Sequence, residues 1–167
     1  MQVFTEIEII KILATWVDNR KFPFQLPNAF IYSWESDYWA MTKDGETREF
    51  EIKISRSDFM VDHKKKKHSS HDAGANYFYY VCPKGMINPS EVEKKYGLIY
   101  IWETGFVEVV KKPRKLNDSI FENWKQIANK MYGKWENLWR EKYYLDKITY
   151  EEYKSGFFNT ELLITEE

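Results

Sequence analysis

The sequence predicts a mixed α/β domain, on three observations. A capped amphipathic helix comes first, short strands rich in aromatic and β-branched residues follow, and a second helix starts directly after the third strand. The first helix is expected from about Thr5 to Asp18. Thr5 and Glu8 have the spacing of a capping box, and Ile9, Ile12, Leu13 and Trp16 fall on one face. Phe22-Pro23-Phe24-Gln25-Leu26-Pro27 reads as a proline-punctuated connector. Strands are expected over Ala29–Trp34, Ser36–Thr42 and Thr47–Ile54. Ser55-Arg56-Ser57-Asp58 then has the pattern of a helix start. That helix is expected to run to about His68, with Phe59 and Val61 facing inward and Lys64 to Lys67 exposed.

Further along, Asn76–Cys82 is an aromatic strand closed by Pro83-Lys84-Gly85. Leu98–Trp102 and Phe106–Val110 flank Glu103-Thr104-Gly105 as a hairpin. A long helix is expected from Ser119, capped with Glu122, to about Tyr143. Its apolar stripe is Ile120, Trp124, Ile127, Met131, Trp135 and Leu138. Gly133 inside it costs roughly 1 kcal/mol and suggests a bend or close contact. Thr149 with Glu152 has the spacing to cap a short final helix. Residues 1–115 are read as the core and 116–167 as a helical extension packed on it.

The third strand carries the most informative residues. In Glu49-Phe50-Glu51-Ile52-Lys53-Ile54, the apolar side chains share one parity and the charged ones the other, the pattern of a half-buried strand. The turn before it sets the register. A two-residue Asp44-Gly45 loop would turn Asp37 to the other face. A three-residue loop with Gly45 left-handed pairs Thr42 with Glu46, and counting back places Asp37 opposite Glu51. Glycine in third position favours the second register. Two carboxylates able to converge on one divalent cation, with a lysine beside them, are the working parts of phosphodiester cleavage.

Composition sets the bounds. The 167 residues carry a formal net charge of −1, so no broad basic field marks a nucleic-acid binder, and such binding must come from local patches. The single cysteine, Cys82, allows no internal disulfide and suits a reducing compartment, where it is expected to be a small buried hydrophobe. An acidic N-terminus without a basic leader and the lack of a long uncharged apolar run point to a cytoplasmic protein away from membranes. His68-x-x-His71 with Cys82 is too sparse for a zinc site.

The order α-β-β-β-α-β, with Asp37, Glu51-Ile52-Lys53 and a helix after the lysine strand, resembles the PD-(D/E)xK nuclease superfamily over about residues 5 to 110. Glu6-Ile7-Glu8-Ile9-Ile10-Lys11-Ile12-Leu13 is similar to the first helix of archaeal Holliday-junction resolvases. Glu51 to Phe59, with Tyr77 to Val81 and Pro83-Lys84-Gly85, looks like the MmcB-like DNA-repair branch and its phage relatives. Ser36 stands where the literal motif has proline, which leaves Glu35 as a rival to Asp37.

The resemblance implies a restriction-endonuclease-like core with an added β-hairpin and a long C-terminal helix. It also implies a Mg²⁺- or Mn²⁺-dependent endodeoxyribonuclease of repair, recombination or phage DNA processing. Asp37, Glu51 and Lys53 would be catalytic, and Asp37, Glu51 and the Ile52 carbonyl would hold the metal. Glu6 would either join them or simply favour the helix dipole. Ser55, Arg56, Lys64, Lys65, Lys66, Lys67 and His68 would contact DNA. Two other readings stand beside this one: an inactive DNA-binding module of the same fold, and an assembly protein that oligomerises, as a homodimer for instance, through its aromatic C-terminal helix.

Overall fold

The structure, a computed structural model, describes residues 4–64 and 74–143, with side chains described to residue 61 and again over 74–138. Helix α1 is Glu6–Trp16, followed by β1 Phe24–Phe30, β2 Glu35–Met41 and β3 Thr47–Ile52. Helix α2 is Arg56–Lys64, then come β4 Tyr77–Pro83, β5 Gly97–Ile101, β6 Val107–Lys111 and helix α3, Trp124–Tyr143. The six strands form one mixed sheet in the order β1-β2-β3-β4-β5-β6. β3, β4 and β5 are parallel to one another, and the remaining neighbours are antiparallel.

One side of the sheet is covered by α1. Ile9 and Leu13 are buried against Tyr38, Phe50, Val81 and Ile99. The Thr5–Glu8 capping box forms as expected, with the Glu8 carboxylate accepting from Thr5 N–H at 2.8 Å. Trp16, expected on the apolar face, is exposed, because the chain leaves the helix at Val17 and Val17 takes the buried place. On the other side, Phe59 of α2 packs with Phe78, Tyr80, Leu98 and Tyr96, while Val61, expected inward, is exposed. A third cluster, Leu26, Trp39, Met41 and Ile127, covers the β1–β2 end.

Two strand boundaries differ from expectation. β1 begins at Phe24, inside the segment read as a connector, and residues 31–34 form a bend. Pro27 fits because β1 is the sheet edge, where no neighbour needs its missing N–H. The crossover from β4 to β5, residues 84–96, has no regular helix. It is pinned by Arg56, which donates to Glu91, and by Lys111, whose Nζ donates to the Glu93 carbonyl at 3.0 Å.

The chain divides into two compact units, Met1–Ile127 and Ala128–Glu167. The stretch before α3 belongs to the first. Asn76 Nδ2 donates to Ser119 O at 2.8 Å and Gly45 O accepts from Phe121 N–H at 3.1 Å. Ser119 is therefore held in this clip rather than capping the helix. Asn123 Oδ1 caps instead, accepting from Gln126 N–H at 3.1 Å. Of the expected stripe on α3, Ile127 is buried, while Ile120, Trp124, Met131, Trp135 and Leu138 are exposed. Gly133 has open space around it, not a close contact. The 149–152 cap lies outside the described residues.

Candidate active site at the end of β3

Gly45 adopts φ +83°, the left-handed turn position, and Thr42 N–H donates to Glu46 O at 2.9 Å. The three-residue loop thus forms, and the ladder runs Met41↔Thr47, Ala40↔Arg48, Trp39↔Glu49, Tyr38↔Phe50. One step further along that register, Asp37 faces Glu51. Asp37 Oδ2 accepts from Ile52 N–H at 2.7 Å, in place of a backbone partner at the end of the ladder. Glu35, the rival acid, is exposed at the start of β2. The register brings Asp37 to β3.

The charged face of β3 is not solvated, contrary to the half-buried reading. Glu49, Glu51 and Lys53 are 0%, 7% and 4% exposed. β3 is a central strand, and its charged residues run as a polar ribbon between the cluster around Trp39 and the cluster around Tyr80. Buried charge requires compensation. Lys53 Nζ lies 2.8 Å from Glu51 Oε1 and 3.8 Å from Asp58 Oδ1. Glu49 Oε1 accepts from Trp34 Nε1 at 2.7 Å and Ser36 Oγ at 2.8 Å.

Asp37 sits in an unfavourable place for a carboxylate. Burial, then the Glu51 charge, push its pKa from 3.8 up to about 7, against the opposing pull of the Ile52 N–H and Lys53. Glu6, exposed in the first turn of α1, adds to the rise, so it lies within Coulombic reach of the pair. Among the described residues, Asp37 Oδ1 and Glu51 Oε2 take no hydrogen bond, which leaves one oxygen of each carboxylate available. Among those residues, no three His, Cys, Asp or Glu side chains form a metal cage by themselves. The donors on hand are two carboxylate oxygens and backbone carbonyls, the hard oxygen set that suits Mg²⁺ or Mn²⁺.

The expected DNA contacts divide. Ser55 caps α2, its Oγ accepting from Asp58 N–H at 3.2 Å. Arg56 forms a two-pronged pair with Glu91, with Nη1 at 2.6 Å from Oε2, and donates to Met86 O at 3.3 Å. It is a tie between α2 and the β4–β5 crossover. The Lys64 side chain and the whole of Lys65, Lys66, Lys67 and His68 lie outside the described residues. Cys82 is buried, and burial pushes its thiol up to about 12.

Two features escaped the sequence reading. Asp58, within the helix start and the Glu51–Phe59 run, carries no site role in the sequence, although its first-turn position, five residues past Lys53, marks it as a second partner for the lysine. The other is a cleft of about 550 Å³ at the C-terminal ends of β3, β4 and β5, beginning at Ile54. Nothing in local periodicity signals it, because its walls come from four separated segments.

No family model and no curated protein matches the chain. Among solved structures the fold is similar to the SPO1766 protein of unknown function from Silicibacter pomeroyi. The identity is 15%, over 70% of this chain and 76% of that one, with a TM-score of 0.50. What that likeness establishes is a shared mixed α/β architecture.

Proposed function

We propose that this chain is a metal-dependent nuclease that hydrolyses DNA phosphodiester bonds, with a restriction-endonuclease-like core and a role in repair, recombination or phage DNA processing. One observation carries the reading: Asp37 and Glu51 meet across β2 and β3 at the end of the ladder, with Lys53 Nζ 2.8 Å from Glu51. A structural ion pair needs only Glu51 and Lys53. The added acid, desolvated and held beside a like charge, destabilises the site unless a cation joins it.

Asp37, Glu51 and the Ile52 carbonyl would hold Mg²⁺ or Mn²⁺. In a regular strand the N–H and C=O of one residue point to the same side, so the Ile52 carbonyl faces the Asp37 side. A cation held there would supply Lewis acidity, lowering the pKa of a coordinated water and offsetting charge on the phosphate. Lys53, steered by Glu51 and Asp58, presents its ammonium to the same phosphate and orients the attacking water. Burial of the lysine strengthens that interaction, since little solvent screens it. Glu6, within Coulombic reach of Asp37, adds negative potential that favours the cation.

The test is cleavage of duplex, branched and single-stranded DNA with Mg²⁺ or Mn²⁺. The wild type should cut at least one of them, and Lys53→Ala and Asp37→Asn should cut none. A wild type that cuts nothing in either metal leaves a non-catalytic DNA-binding module as the better account.

A further inference from the structure

We propose that the cleft at the C-terminal ends of the parallel strands takes an unpaired base of a single-stranded nucleic acid, with Lys84 engaging the adjoining phosphate. The proposal rests on the nuclease reading and names the form of its substrate. The cleft starts one residue beyond Lys53. Ile54, Pro83, Ile101, Phe4, Met86 and Trp102 are the apolar part of its lining. Its volume, about 550 Å³, falls in the range of small-ligand sites and accommodates a nucleotide.

The apolar lining and Trp102 suit a base, and Lys84 suits its phosphate, which must lie on the Lys84 side because Glu103 also lines the cleft. Lys84 Nζ stands 3.0 Å from the centroid of the Trp102 ring. The Trp102 Nε1–H is already committed to Glu108 at 2.8 Å, so the ring offers its face and not its polar edge. A base stacking on that face displaces the ammonium to the neighbouring phosphate. One exchange thus satisfies both groups.

A second recess with a lysine and aromatic rings in its lining lies across the hairpin tip. This recess of about 510 Å³ is lined by Lys11, Trp16 and Phe106, and Phe106 is 62% exposed. The Trp102 and Phe106 rings lie 6.3 Å apart, edge to face. Successive aromatic faces with nearby cations are the elements of a single-strand track. Bases paired in a duplex are stacked inside it and cannot enter a recess, whereas unpaired ones can. With a formal net charge of −1, the chain has no broad field to hold duplex phosphates, so stacking at this cleft adds to what local basic residues supply.

The test is fluorescence anisotropy of the whole chain in EDTA. The probes are a labelled oligothymidylate, a duplex of the same length and an abasic oligomer of the same length. The oligothymidylate should bind about tenfold more tightly than the duplex, and the abasic oligomer should bind no better than the duplex. Trp102→Leu, which keeps an apolar side chain but removes the ring, should weaken single-strand binding roughly tenfold, while Trp102→Phe retains most of it. Phe106→Ala, at an outward position that does not endanger folding, should weaken it about two- to fivefold. Equal binding of duplex and single strand, or an unchanged Trp102→Leu, overturns the proposal. Cleavage is followed in parallel with Mg²⁺. Trp102-dependent binding without cleavage removes the nuclease reading and leaves the base site standing. Cleavage with no Trp102 dependence on any substrate removes the base site alone.

Discussion

Glu49 and Glu51 lie two residues apart on the same face of the same strand, both buried, and the fold treats them differently. Glu49 is enclosed. The Trp34 indole and the Ser36 hydroxyl donate to it, and it joins the 31–34 bend to the centre of the sheet. Glu51 stands at the end of the ladder, where β2 begins and β3 gives way to α2. Its neighbours there are a lysine and a second carboxylate. The difference teaches that burial alone does not mark a working carboxylate. A structural one is matched by neutral donors that fix it in place. On the proposed reading, the carboxylate that works is the one left beside a like charge at the end of the strand.

The largest effect that could break this contrast is on turnover. Lys53→Ala or Asp37→Asn should lower metal-dependent cleavage by roughly 10²–10³-fold or more with the circular-dichroism spectrum unchanged. Glu49→Ala should instead act on stability. Removing the acceptor for one buried and one half-buried donor costs about 1–3 kcal/mol, read as a lower urea midpoint, with activity per folded molecule retained. Comparable loss of cleavage per folded molecule in both variants would erase the distinction.

Next in size is a gain. The folded pKa of Asp37, about 7, exceeds its ordinary 3.8, so the fold favours the protonated form. The stability linked to this group is fully present below about pH 4 and is lost as pH rises toward 7. In EDTA, Asp37→Asn should therefore be more stable than wild type at pH 7.5, on the order of 1–3 kcal/mol. The wild type's loss of stability between about pH 4 and 7 should flatten in the variant. Urea melts across that range measure it, and an Asn variant with no gain would mean the carboxylate is not strained. Smallest is the register itself. A Cβ at Gly45 would sit 2.6 Å from Ile120 Cγ2 and 2.9 Å from Phe121 O, at φ +83°. Gly45→Ala should cost about 1–3 kcal/mol and loosen the hairpin that brings Asp37 to Glu51.

Much of this end of the sheet was legible in the sequence. The glycine in the third loop position fixed the register, and with it the meeting of Asp37 and Glu51, because turn geometry is local. The capping residues Thr5 and Ser55 were readable for the same reason. What local pattern could not show was coverage. Alternation on β3 reads the same whether the charged face meets water or other side chains, so Glu49 passed as solvated. β1 was hidden by Pro27, which is excluded from central strands but tolerated at an edge, and edge position is a property of the whole sheet. Trp16 and Val61 were expected to face inward on periodicity, and the α3 stripe to be apolar, yet burial depends on which partner arrives. The cleft beside Ile54 is assembled from segments distant in sequence.

Binding of Mn²⁺, followed by titration calorimetry in wild type, Asp37→Asn and Glu49→Gln, tests the central claim most directly. The account predicts saturable binding in wild type, its loss in Asp37→Asn, and its retention in folded Glu49→Gln. Binding that survives Asp37→Asn, or that disappears in folded Glu49→Gln, would contradict it.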